Sequence, residues 1–446
     1  MPVIEKIIPN DDLPRHADVV VIGAGIAGIC TALELAKRGL SVVVLEKGEV
    51  AAEQSSRNWG WCRQMGRDPR EIPLILESLN LWRGMNERVG AETGFRTCGI
   101  AYVADTDREM AKHEQWLTNH AKPAGIASKL ISSSEVELLL PGSTVKRAGA
   151  LYTPTDARAE PFIAVPAMAR ALQKLGGQIF TSCAARGLET TAGQVSAVVT
   201  ERGVVKCSRV VLAGGFWSRR FLHNMGIAFP QLGVLGSVMR TTPLEAGITT
   251  SFSAGKCTAR KRLDGGYTIT HNFVSIADIV PDSFRLFFDF FPVFKLDWRG
   301  LRLRLGKRFL EEAKLARRWA LDQTSPFEQV RILDPEPAQW ILDEASTEIK
   351  KVFPAFATMQ IAETWGGVID ATPDAVPVIG AIAKVPGLFM ASGFSGHGFG
   401  LGPGAGKLMA QIVVGETPCV DPKPFRFERF SDGSKPKPTP VFSLGS

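Results

Sequence analysis

The segment from Val19 to Glu46, VVVIGAGIAGICTALELAKRGLSVVVLE, constrains the fold more than any other, because it spells strand, glycine turn, helix, second strand and terminal acid without interruption. That order is the layout of a dinucleotide-binding βαβ unit. Val19 to Ile22 form a buried parallel strand; Gly23 allows the tight turn, Gly25 lets the backbone approach a pyrophosphate, and Gly28 lets the helix pack on the sheet. Phosphate charge then meets the helix N-terminus at Ile26 and Ala27. Ala32, Leu33, Leu35 and Ala36 supply the helix's apolar face, and Ser41 to Leu45 return as the strand that delivers Glu46 to a ribose hydroxyl. An acid there argues for an unphosphorylated adenosine ribose, hence FAD or NAD rather than NADP.

At 446 residues the chain exceeds one typical domain, and the length prior suggests about two or three. The net charge of +7 is carried by scattered basic residues with no nucleic-acid motif beside them, so nucleic acid is not expected as a partner. Seven cysteines, Cys30, Cys62, Cys98, Cys183, Cys207, Cys257 and Cys419, are odd in number and lack CxxC spacing. Neither a disulfide framework nor a metal site is expected. No apolar run reaches the roughly 18 residues of a spanning helix and the first residues carry no signal-peptide core, so a cytoplasmic location is the expectation. Residues 431–446 read as an exposed, poorly ordered tail.

Further along, a helix is expected from Ile72 to Val89 with Leu76, Leu79 and Trp82 on its apolar side, and another from Phe162 to Leu175. GGQIF, VSAVVT and GVVKCSRVVLAGG read as strands, the last ending in a second glycine turn. Cys257 to Thr270 is a hairpin candidate around Asp264-Gly265-Gly266. Residues 284–319 are aromatic and basic together. A helical cap with a solvated basic face competes there with a lid over the substrate entrance and with a peripheral membrane surface.

Three stretches in this order resemble the flavoprotein family of D-amino-acid oxidase, glycine oxidase and sarcosine oxidase. The first is the βαβ unit followed by Glu53-Gln54-Ser55-Ser56-Arg57; the second is VVLAGGFWS, Val210 to Ser218; the third is WGGVIDATPDAVPVIG, Trp365 to Gly380, followed by ASGFSGHGFGLGPGAGKLMA. LEKGEVAAEQSSR, LWRGMNERVGAETGFRTCG, SPFEQVR and DPKPFRFERF are closer still to the bacterial L-amino-acid deaminases, which carry an insertion where residues 284–319 stand. The resemblance implies an α/β chain: a Rossmann-type FAD-binding domain of the glutathione-reductase-like kind (1–95, 156–225 and 350–430) with an inserted antiparallel-sheet, α+β substrate domain (96–155 and 226–349). It implies noncovalent FAD, contacted by Ile22 to Gly28, Glu46, Lys47, Gln54, Ser55, Ser56, Arg57, Asn58, Trp59, Ala185, Ala213, Gly214, Gly215, Trp217, Trp365, Gly393, Gly396, Gly398, Phe399 and Gly400. Cys62 does not clearly match the family's covalent attachment positions.

The same resemblance implies oxidation of a free amino acid by hydride transfer from Cα to flavin N5, with a 2-oxo acid and ammonia as products. An L-amino acid, basic or large aromatic or aliphatic, is the first reading. A D-amino acid or a secondary amine is the alternative, and a flavin-binding protein that docks on a membrane or partner is an alternative of another class. The deaminases have an N-terminal membrane helix that this sequence does not show, which leaves the electron acceptor open between O2 and a quinone or dye; oligomeric state is open too. Family members clamp the substrate carboxylate with an arginine, because a guanidinium fork matches it in charge and geometry. The corresponding positions here fall at Ile369 and near His271 and Asn272. Arg63, with Gln64 beside it, is the candidate cation, Arg260 and Arg262 are weaker ones, and a structural ion pair competes for each. Trp59 and Trp61 wall the pocket or pack in the core. His397 is the candidate catalytic residue, with a packing role competing, and Glu363, Asp370 or Asp374 is placed by analogy to meet a cationic substrate tail.

Overall fold

The structure is a computed structural model that describes residues 2–272, 274–297, 300–434 and 437. β1 (Val19–Ile22), α1 (Ile26–Ala36) and β2 (Val42–Leu45) form the expected unit, with β1 and β2 paired in parallel and in register from Val19 with Val42 to Ile22 with Leu45. The sheet has six strands in the order Val378–Ala381, Leu388–Ser392, Val210–Leu212, β1, β2, Gln178–Phe180. All its pairings are parallel except the antiparallel edge at Val378–Ala381. Side chains alternate across a strand. Val19 and Val21 therefore join the core under α1, whereas Val20 and Ile22 join the opposite core with Trp217 and Phe221. Each such buried aliphatic contributes about 1.5–3 kcal/mol.

α1 is buried along its whole length because a second helix, Gly398–Val414, lies directly on it. A methyl group at Gly406 would sit 2.5 Å from the Cys30 backbone, and one at Gly402 would sit 2.6 Å from Ile26. The glycines of that helix therefore set the approach distance. The expected helix 72–89 is two helices, Ile72–Arg83 and Met85–Val89, parted at Gly84.

The second sheet has ten strands. Leu232–Thr241 is its axis: it pairs on one edge with Tyr267–His271 and Ser275–Asp278, and antiparallel with Ile361–Ala371 from Leu232–Ala371 to Thr241–Ile361. Ile361–Ala371 thus belongs to the second sheet and not, as the range 350–430 implied, with the nucleotide-binding elements. Ile361–Ala371 occupies the second edge of Leu232–Thr241 along its whole length. The path continues through Cys257–Lys261, Ser251–Ala254, Ile100–Ala104, Gly149–Thr153 and Lys129–Ser132. Two of its pairings are parallel, Ser251–Ala254 with Ile100–Ala104 and Ser275–Asp278 with Leu301–Arg304. The helix Gln339–Val352 closes the face carrying Phe252, Tyr267 and Ile269.

The segment 284–319 is more than a helical cap: helices Phe287–Asp297 and Lys307–Lys314 flank the strand Leu301–Arg304. Phe288 and Leu305 on it are 87% and 71% exposed, so this module leaves apolar surface uncovered. No described helix is long and apolar enough to cross a membrane. The tail expected to be poorly ordered lies largely outside the described residues.

Candidate active site

A cavity of about 470 Å³ runs from the carboxyl ends of β1, β2 and Val210–Leu212 to the face of the second sheet. Its first end is backbone and glycine. Gly23 has φ +105°, and a methyl there would meet the Ala213 carbonyl oxygen at 2.5 Å; at Gly28 it would meet the Gly23 carbonyl at 2.0 Å. At Gly25 a methyl would stand 3.1 Å from the Ser55 hydroxyl, a tight contact to which that side chain would have to yield. Ser55 Oγ accepts from the Ile26 N–H (2.9 Å), and the Glu46 carboxylate accepts from the Ala24 and Gly48 N–H groups (both 2.8 Å). Burial raises the pKa of Glu46 despite those bonds and Lys47. A helix N-terminus, a close backbone and a fixed acid fit an adenosine pyrophosphate. The buried Arg57 Nη2, which has no hydrogen-bond partner, is a further donor left for a ligand on this wall.

Of the expected cofactor residues, Ile22, Gly23, Gly25, Ile26, Ala27, Glu46, Lys47, Gln54, Ser55, Arg57, Asn58, Trp59, Ala185, Ala213, Gly214, Gly215, Trp217, Gly396, Gly398, Phe399 and Gly400 line the cavity. Gly28, Ser56, Trp365 and Gly393 do not. Gly28 serves packing, and Ser56 Oγ turns inward to the Glu53 carbonyl (3.3 Å). Trp365 donates to the Arg57 carbonyl (3.1 Å), and the Gly393 N–H donates to Asp370 (2.7 Å). Lys47 is on the wall, but its ammonium is engaged by Glu53 (2.7 Å) and the carbonyls of Val330 and Arg331. Gln54, with its amide oriented to donate to Asp370 Oδ1 (2.8 Å) and accept from the Phe216 N–H, ties the helix Gln54–Arg57 to the second sheet. Cys62 is fully buried off the wall, and burial holds its thiol pKa well above the usual value.

The inner end is aromatic and cationic. Trp59, Trp61, Tyr102 and Trp116 line it, with Trp59 edge-on to Trp61 at 5.6 Å. Arg63 lies over the Tyr102 ring, 5.8 Å from its centre, and donates to the Met65 carbonyl. Arg67, which the sequence reading missed, shares this wall; its Nε donates to the Arg63 carbonyl (3.0 Å). Burial first, and then Arg63, bring the Arg67 pKa down to about 10. Its anionic partner is Glu71, 3.5 Å away and fully buried. Glu71 also faces His397 Nδ1 at 2.9 Å, a contact too bent to be a well-aligned hydrogen bond. Burial opposes ionisation of Glu71, but His397 and then Arg67 more than offset it and hold its pKa below the ordinary value. Burial lowers the pKa of His397, so the imidazole is neutral near pH 7.

Ile369 and Asn272 line the cavity, and His271 does not: strand alternation turns its ring toward Glu344, 3.5 Å away. Gln64 is buried on Thr155 and Asp156 (2.6 and 2.8 Å), one residue out of phase with Arg63. Arg260 is taken by Glu160 (2.8 and 3.0 Å) and Arg262 by Asp264 (3.0 Å), so neither reaches the cavity. Among the three acids, Glu363 pairs with Arg240 and Asp374 with Arg429, both at 3.0 Å and off the wall. Asp370 alone lines the cavity; burial pushes its pKa up to about 6. Ser253, Thr258 and Tyr102 complete the wall from sheet positions that carry no motif.

A family profile described as FAD dependent oxidoreductase matches residues 18–412, and the chain belongs to that family. Its cofactor is FAD, and it is an oxidoreductase. The L-amino acid deaminase of Proteus myxofaciens, solved in complex with anthranilate, is 35% identical, with a TM-score of 0.92 over 97% of each chain. That of Proteus vulgaris is 33% identical, with a TM-score of 0.91 over 96% of this chain and 100% of that one. 4-Methylaminobutanoate oxidase (formaldehyde-forming) of Paenarthrobacter nicotinovorans is 24% identical over 95% of this chain. The chain spans only 46% of that relative, about half its length.

Proposed function

We propose that the chain oxidatively deaminates a free L-amino acid with an apolar or aromatic side chain. The observation that carries the reading is the pairing of Arg63 and Arg67 on the wall among Trp59, Trp61 and Tyr102. A carboxylate entering between those guanidiniums gains charge-assisted hydrogen bonds, while the rings pack on the substrate side chain and exclude water. Arg63 is held by the Met65 carbonyl and the Tyr102 ring, and Arg67 by Glu71. Neutral His397, with Nδ1 turned to Glu71, offers Nε2 to take a proton from the substrate ammonium. FAD, when bound, supplies the acceptor for the hydride from Cα, and the resulting imino acid hydrolyses to the 2-oxo acid and ammonia. The orientation needed for that transfer falls to the two arginines and the ring walls. A basic substrate is disfavoured, because Asp374 and Glu363 are committed elsewhere and Asp370, though on the wall, already accepts from Gly393, Gln231 and Gln54. The L-configuration is supported by the likeness to the two Proteus deaminases.

Anaerobic addition of paired L- and D-amino acids, sarcosine and proline to the FAD-loaded enzyme tests this. Bleaching of the flavin by apolar or aromatic L-isomers is expected. Bleaching by D-isomers or secondary amines alone overturns it, and reoxidation in air then separates an oxidase from a dehydrogenase.

A further inference from the structure

A second cavity, of about 140 Å³, lies where the helix Ser218–Asn224 meets the 284–319 module and its approach. Its wall takes Arg219, Arg220 and His223 from that helix, Asp282 and Arg285 from the helix Pro281–Arg285, and Glu312 and Arg317 from Lys307–Lys314 and the turn beyond it. Four guanidiniums share two carboxylates. Asp282 pairs with Arg219 and with Arg285 (2.8 Å), and stands 4.0 Å from Arg317. Glu312 takes Arg220 (2.5 Å) and also Arg308 from outside the wall, while Asp289 faces Arg219 from outside it.

Arg317 Nη2 stands 3.3 Å from His223 Nε2. A guanidinium has no acceptor, so that ring nitrogen carries its lone pair and the imidazole is neutral. Burial, with Arg219 next, likewise holds the His223 pKa below the ordinary value. The wall therefore keeps a formal excess of two positive charges. Burial, followed by Arg220 and Arg285, brings the Arg219 pKa down to about 10.

We propose that this cavity binds a phosphate-sized oxyanion, free or as the phosphate of a small headgroup, between Arg219, Arg285 and Arg317. Size sets the class: a liquid water occupies about 30 Å³ and drug-sized ligands need about 300–1,000 Å³, so the space suits a tetrahedral oxyanion and excludes a nucleotide. Geometry gives the consequence. The anion bridges Ser218–Asn224, which directly follows the cofactor-wall residues Gly214 to Trp217, to two helices of the neighbouring module. It therefore clamps that module to the FAD-binding sheet. The inference stands independently of the substrate reading, since none of these arginines lines the active-site cavity.

Calorimetric titration of the FAD-loaded enzyme with inorganic phosphate, at ionic strength held constant with chloride, tests it. Arg285→Gln and Arg317→Gln are the variants of choice, because these side chains are 46% and 38% exposed and their loss leaves the fold intact, as flavin content and melting would verify. Saturable binding is expected for the native chain, sulfate should compete, and each variant should bind about tenfold or more weakly with amino-acid turnover unchanged. No saturable heat beyond the chloride control, or equal affinity in both variants, overturns the proposal. Phosphatidylcholine vesicles with and without phosphatidic acid separate the sources: retention that phosphate displaces assigns a headgroup, and phosphate binding without retention assigns a soluble ion.

Discussion

Replacing Arg63 by Met tests where the substrate carboxylate sits, because it deletes the guanidinium and keeps an apolar stem against Tyr102. A hydrogen bond to a charged group is worth about 1.5–3 kcal/mol, and about 1.4 kcal/mol is a decade of affinity. The amino-acid Kd should therefore rise about 10–150-fold, while the same amine without its carboxylate should bind as before. Folding loses only a carbonyl hydrogen bond and a cation–π contact, each worth about 1 kcal/mol, so the variant keeps its flavin. Arg67→Met is the contrast. Its removal strips buried Glu71 of its guanidinium partner and leaves it beside His397, which costs about 3–5 kcal/mol of stability. The assay is an anaerobic titration of flavin absorbance with the best amino acid and with its decarboxylated amine, alongside thermal melts. An unchanged amino-acid Kd in Arg63→Met, or an equal loss for the carboxylate-free amine, refutes the assignment.

Gly25→Ala should cut FAD retention about tenfold or more, because the added methyl stands where the backbone approaches the pyrophosphate and presses on the Ser55 hydroxyl that accepts the Ile26 N–H; flavin absorbance per chain reads this. Glu71→Gln removes the charge that raises the His397 pKa, so the acid limb of the flavin-reduction rate should move to lower pH, and an unmoved limb removes His397 from the proton step. Asp370 stands at about 6 against an ordinary 3.8 because of burial, so its protonated form is favoured in the fold. Stability is fully present below about pH 3.8 and falls as pH rises through 6, a span of about 3 kcal/mol that Asp370→Asn should abolish in denaturant titrations near pH 4 and pH 7.

The βαβ unit was legible residue by residue, since a glycine turn, a helix face and a terminal acid are all local and each has a spacing. The inner wall was not. Arg63 and Arg67 lie four apart in one irregular loop, and only the packing of that loop on Asp156 and Thr155 turns them into the cavity while Gln64 is buried. Ser253, Thr258 and Asn272 reach the site through the register of three successive antiparallel strands, with Ser253 opposite Thr258, and a one-residue step in phase sends His271 to the opposite face. Glu71 carries no motif, and its contact with His397 arises only because the histidine of the C-terminal glycine loop lands beside it. Ile361–Ala371 was misplaced for a related reason: its glycines and aspartate match a flavin-family segment, but its partner edge lies more than a hundred residues upstream.

That ladder decides when the enzyme can come into being. Leu232–Thr241 contributes Gly236 and Val238 to the cavity, its partner contributes Gly367 to Asp370, and His397 to Gly400 close the far side. A growing chain that has made α1 and the whole first βαβ unit still lacks the closing wall of its pocket until residues 391–400 are synthesised. Such long-range pairing is slow to form. Flavin capture is therefore tied to synthesis through Gly400, and a product that stops before this glycine loop would lack the closing wall of the cavity.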